Sequence, residues 1–71
     1  MITYAIKNEN NEYFDINQPN KFTKDISMAN KYSSPIIAKK TFEDLMPDYV
    51  GEYYIIEIYI EEGEIVLGLY K

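Results

Sequence analysis

The stretch Glu52-Tyr53-Tyr54-Ile55-Ile56-Glu57-Ile58-Tyr59-Ile60-Glu61-Glu62-Gly63-Glu64-Ile65-Val66-Leu67-Gly68-Leu69-Tyr70 reads as a β-hairpin. Its first half is rich in β-branched and aromatic side chains, which suit a pleated, half-buried surface. A two-residue turn at Glu62-Gly63 sets Glu61 opposite Glu64, Ile60 opposite Ile65, Ile58 opposite Leu67 and Ile56 opposite Leu69. The apolar pairs then share one side of the ribbon, and a slip of one residue destroys the match. That side is expected to face the core. Tyr53, Ile55, Glu57, Tyr59, Val66 and Tyr70 are left for the outer side, where any function is expected, together with the acidic turn.

Upstream, Ile2-Thr3-Tyr4-Ala5-Ile6 alternates, and so does Glu12-Tyr13-Phe14-Asp15-Ile16. A loop of about three residues, Glu9 to Asn11, places Ile6 across from Phe14 and Tyr4 across from Ile16, with Asn11 at the left-handed position. Phe22, Ile26 and Ala29 recur at helical spacing, so a short helical turn is expected over about 24–30, capped by Thr23 and ended by Asn30. Ser33-Ser34-Pro35 is a stronger helix start: a capping serine, then proline at the first helical position. The main helix is expected over about 35–46. Pro35, Ala38, Phe42, Leu45 and Met46 share one stripe, and Pro47 stops it. The predicted fold is α+β: about four antiparallel strands in two hairpins, with the main helix and the short helical turn packed on one face.

Length and composition narrow the function. The 71 residues suffice for one small domain, 1–71. Such a core supplies roughly 3–5 kcal/mol of net stability. Cysteine, histidine, tryptophan and arginine are absent. Without histidine and cysteine the common general base and the usual zinc ligands are missing, which excludes a zinc site of the nitrogen-and-sulfur type. The oxygen ligands of Glu61, Glu62 and Glu64 would suit calcium or magnesium, but their spacing matches no known loop, and no cofactor is expected. The lack of cysteine suits a reducing cytoplasm. The net charge of −5 repels nucleic acid and anionic lipid and favours a basic protein partner. Met1 to Lys7 is too short and polar for a signal peptide, and no run approaches the ~18 apolar residues of a membrane span.

Candidate sites follow from the hairpin. Glu61, Glu62 and Glu64 crowd around Gly63, and Glu61 faces Glu64, a mildly unfavourable pairing that a lysine-rich partner relieves. Tyr53 and Tyr59, with Glu57 between them and Tyr13, Asp15 and Tyr70 near, offer rigid rings with polar tips of the kind found in protein interfaces. The acidic companions argue against base stacking, which needs a positive groove. Asp15 and Glu57 are the one carboxylate pair that invites comparison with glycosidases, but a chain this short leaves little room for a cleft. No catalytic residue is assigned. The partner-binding set is Tyr53, Glu57, Tyr59, Glu61, Glu62 and Glu64. A small ligand- or nucleotide-binding domain and a homodimer joined at a strand edge are the alternatives.

Tyr4-Ala5-Ile6-Lys7-Asn8, Glu12-Tyr13-Phe14, Phe22-Thr23-Lys24-Asp25-Ile26 with Ala29, Tyr32-Ser33, and Tyr54-Ile55-Ile56-Glu57-Ile58 give the chain a familiar style. It resembles the small accessory proteins encoded by phages and prophages of AT-rich Gram-positive bacteria. That resemblance implies a non-catalytic protein in the cytoplasm of an infected or lysogenic host. Some such proteins, anti-CRISPR inhibitors among them, block host defence or nucleic-acid-handling proteins. The expected partner is therefore a host protein with a basic surface.

Overall fold

The computed structural model describes residues 2–70. In chain order its elements are β1 (Ile2–Asn8), β2 (Tyr13–Phe14), β3 (Phe22–Thr23), a 3-10 turn (Ile26–Met28), α1 (Pro35–Leu45), β4 (Tyr53–Glu61) and β5 (Glu64–Leu69). The strands form one antiparallel sheet in the order β3-β2-β1-β4-β5.

Glu62 and Gly63 close the C-terminal hairpin with φ of 52° and 82°. Two positive φ values in a two-residue loop match the twist of the flanking strands. The register pairs Ile60 with Ile65, Ile58 with Leu67 and Ile56 with Leu69, as the apolar alternation predicts. At the other end, Asn11 has φ 61°, Asn8 N donates to Glu12 O at 2.8 Å, and Lys7 pairs with Tyr13. The three-residue loop is therefore present, with Asn11 where only a residue tolerant of the left-handed region fits.

The fifth strand is a departure from the about four expected. Phe22–Thr23 pairs with Phe14 and Tyr13, where the spacing suggests a helical start. Two residues are too few for a period-2 signal, and it is the partner strand that makes them β. The helical turn begins later and is capped by Asp25, not Thr23. The Asp25 carboxylate accepts the Ser27 hydroxyl at 2.7 Å and the Ser27 N–H at 3.0 Å. Those two bonds, the hydroxyl first, hold the Asp25 carboxyl below its ordinary 3.8. In α1, Ser34 Oγ accepts the Ile37 N–H at 3.1 Å and proline follows the cap, as read from the sequence. The helix ends at Leu45 with Met46 as its cap, one residue short of the expected end.

The two helical pieces lie on opposite faces, not on one. Ile6 packs with Ala38 and Phe42 of α1 and with Phe14 and Phe22. Its neighbour Ala5, which points to the other face, packs with Ala29, Ile56 and Ile58, and Ile26 of the 3-10 turn joins them. Tyr32 is where the chain crosses. Its N–H and C=O exchange 2.8 Å bonds with those of Tyr4, so the backbone there lies in the plane of the sheet beside β1. The 3-10 turn precedes this crossing and α1 follows it.

The face under α1 is consequently the one bearing Tyr4, Tyr53 and Ile55. Aromatic rings fill it: Phe42 lies 5.1 Å from Phe14, 5.3 Å from Tyr49 and 4.6 Å from Tyr53. Burial raises the phenol pKa of Tyr32 and Tyr49 above the ordinary 10.0. Burial and then the hydrogen bond to Glu43 raise that of Tyr53. The folded state thus keeps these protons to higher pH than the unfolded chain. Their contribution is complete below about pH 10 and is lost as pH rises through the folded values. We expect the melting temperature to fall as pH rises above about 10. Phenolate absorbance should rise together with loss of near-ultraviolet circular dichroism. Ionisation of all the tyrosines at the ordinary value, ahead of unfolding, would contradict this.

Candidate functional site

The C-terminal hairpin outruns its support. Ile2 pairs with Tyr59, so among the described residues β1 ends there, and Ile60 to Ile65 extend beyond it. On the Ala5 face the cover is one 3-10 turn. It suffices for Ile56 and Ile58, which are 5% and 7% exposed. Beyond it Ile60, Ile65, Leu67 and Leu69 are 71%, 58%, 42% and 56% exposed. The face expected to be the core is therefore buried at its root and open toward its tip and outer edge.

The strand register makes these aliphatic side chains one surface. Ile60 stands opposite Ile65, Leu67 opposite buried Ile58 and Leu69 opposite buried Ile56. Leu67 and Leu69 continue into an open groove of ≈ 420 Å³ whose lining includes Ile56, Lys7, Tyr13 and Tyr54. Tyr54 donates its hydroxyl to Glu52 Oε2 at 2.8 Å. That bond, with the charge of Glu52, holds the phenol above its ordinary 10.0. Isolated exposed aliphatics are normal; a contiguous exposed run beside a groove is the unusual feature of this face.

The residues chosen from the sequence are divided by the fold. Tyr53 is half-buried against Phe42, and its hydroxyl donates to Glu43 Oε2 at 3.1 Å. It is scaffold for the helix-bearing face, not part of an outer face. Glu57 and Tyr59 share that face farther along β4 and are half-buried. Glu61, Glu62 and Glu64 are exposed at the tip, with Glu61 and Glu64 paired as read. Tyr13 packs on the opposite face, beside Ala5. Asp15 is 2% exposed, and its carboxylate accepts Asn17 N–H at 3.0 Å and Gln18 Nε2–H at 3.0 Å. It organises a turn.

Comparison with family models, curated proteins and solved structures finds no match. The site therefore rests on its own geometry. Among the described residues no cluster of three or more His, Cys, Asp or Glu is placed to hold a metal ion, and no helix is long and apolar enough to cross a membrane.

Sequence reasoning assigned the open aliphatic face to the core. A signal against that assignment is present in β4 itself. Tyr53 and Ile55 pack toward α1 while Ile56 and Ile58 pack away from it, so this strand is apolar on both faces. Such strands need cover on both sides. Between them, α1 and one 3-10 turn leave the hairpin's outer half without it.

Proposed function

We propose that the chain is a non-catalytic protein-binding module acting through its C-terminal hairpin. The observation that carries this is the contiguous Ile60, Ile65, Leu67 and Leu69 surface on a sheet face next to an open groove. Aliphatic area removed from water there supplies binding energy, at about 25 cal/mol per Å² before the costs of association. Glu61, Glu62 and Glu64 stand at the tip of the same hairpin. They favour a partner whose own apolar patch is bordered by lysine or arginine, and they repel acidic competitors. The net charge of −5 favours the same class. The resemblance to phage and prophage accessory proteins adds the expectation that this partner is a host protein, inhibited by occupation of its basic surface.

The test is affinity for a purified partner first identified by capture on the wild-type chain. Ile60→Lys should weaken binding about tenfold or more, because it puts a charge in the middle of the apolar contact. Reversing the tip with Glu61→Lys and Glu64→Lys should also weaken binding and flatten its salt dependence. Ile36→Lys, at an exposed position of α1, should leave affinity unchanged. Equal affinity for Ile60→Lys and the wild type would remove the hairpin from the interface.

A further inference from the structure

We propose that a second copy of this chain pairs with the free edge of β5 in antiparallel register centred on Leu67, forming a continuous ten-stranded sheet. Glu61 and Glu64 flank a two-residue turn, so they form a hydrogen-bonded pair, and such pairs alternate along the ladder. Tyr70 N donates to Ile55 O at 2.9 Å, in phase with that alternation. The backbone groups of Glu64, Val66, Gly68 and Tyr70 are therefore turned toward β4. Those of Ile65, Leu67 and Leu69 are turned outward, at the end of the sheet order.

Antiparallel pairing of β5 with its own copy can use all of these outward groups in one register. Leu67 faces Leu67 of the second copy, and Ile65 faces Leu69 in both directions. Each facing pair exchanges two N–H···O bonds. The side chains agree with that register: aliphatic meets aliphatic at each hydrogen-bonded position, Val66 meets Gly68, and Glu64 meets Tyr70. No like charges are opposed. The acidic tips lie at opposite ends of the paired strands, farther apart than the ~8 Å over which physiological salt lets charges act.

The edge is lightly protected, Glu64 at its end being its one charged side chain. Glu64–Leu69 contains no proline and no lysine, and its pairing with β4 is unbroken by a bulge. The opposite edge, β3, has two residues. A two-fold pairing through β5 closes the assembly, since only the two short β3 edges remain. The axis stands perpendicular to the sheet, so the open aliphatic faces of both copies join into one surface. The pairing uses the hairpin of the proposed module but needs only its backbone edge, so either idea can fail alone.

The experiment is light scattering across a dilution series with three chains. The wild type should show twice the monomer mass of 8.4 kDa at high concentration and return to 8.4 kDa on dilution. Leu67→Lys and Leu67→Glu should each weaken association about tenfold or more, since like charges then face each other across the axis. An equimolar mixture of the two should recover a dimer, seen as a heterodimer by native mass spectrometry. Amide exchange on the wild type reads the same contact without mutation: Ile65, Leu67 and Leu69 should be protected at high concentration and exchange freely when dilute. A wild type of 8.4 kDa at every concentration overturns the proposal. So do variants that dimerise like the wild type, a mixture that stays monomeric, or a dimer whose three amides exchange freely.

Discussion

Phe42→Ala is expected to leave the chain without a cooperative fold at 25 °C. Phe42 is 1% exposed and its ring lies against those of Phe14, Phe22, Tyr49 and Tyr53. Truncating a buried phenylalanine costs about 3–5 kcal/mol in lost transfer energy and residual cavity. The edge-to-face pairs with Phe14 and Tyr49 add to this loss. A core of this size has roughly 3–5 kcal/mol of net stability to lose. Near-ultraviolet circular dichroism should therefore collapse, and urea should produce no sharp transition. Leu45→Ala is the control on the same helix. Leu45 is 47% exposed, and its truncation should cost about 1 kcal/mol or less. A cooperative Phe42→Ala variant melting within a few degrees of the wild type would mean that the aromatic cluster is not what fastens α1 to the sheet.

That cluster also explains how the sequence was readable in one respect and not in another. The hairpin register was legible because β5 offers one aliphatic alternation, Ile65, Leu67 and Leu69, and β4 offers one set in phase with it. The left-handed Asn11, the Ser34 cap, Pro35 in the first turn and the stop before Pro47 were legible for local reasons: each is a backbone requirement that few residues meet. The side taken by α1 was not legible. β4 is apolar on both faces, so alternation sets which residues pair but not which face receives the helix. The decision is made at Tyr32, where the backbone passes beside β1, and nothing in the pattern of Lys31-Tyr32-Ser33 announces a bridge to Tyr4.

The candidate site inherits the same ambiguity. Tyr53 looks like an interface aromatic in the sequence because tyrosine suits both exposed contacts and half-buried strands. Its ring is committed to Phe42 and its hydroxyl to Glu43. The acidic tip was legible because no plausible packing covers three glutamates around a two-residue turn. The aliphatic surface was hidden by its own composition: Ile60 and Leu67 resemble Ile58 in kind and differ only in lying past the reach of a three-residue turn. The proposed site is thus marked by where cover runs out, a property of chain length and path rather than of any motif.

Asn8→Ala is expected to be the most damaging polar substitution, at about 2–4 kcal/mol. Asn8 is 4% exposed at the end of β1. Its Oδ1 accepts the N–H groups of Asn10 and Glu12, both at 2.9 Å, and its Nδ2 donates to Glu12 Oε1 at 3.3 Å. Alanine removes the acceptor and leaves two main-chain donors with nothing in its place, each costing about 1–3 kcal/mol when shielded from water. The loop from Glu9 to Asn11 would then lose the brace that holds Asn11 in its left-handed conformation. Asn8→Asp separates the two roles of the amide. It keeps the acceptor for both N–H groups and loses only the donor to Glu12, now facing another carboxylate. We expect a smaller loss, near half that of alanine. Urea denaturation of the two variants measures the difference, and amide exchange at Asn10 and Glu12 localises it: fast in Asn8→Ala, slow in Asn8→Asp. Equal stabilities for the two variants would show that the Glu12 contact, rather than the braced loop, is what Asn8 contributes.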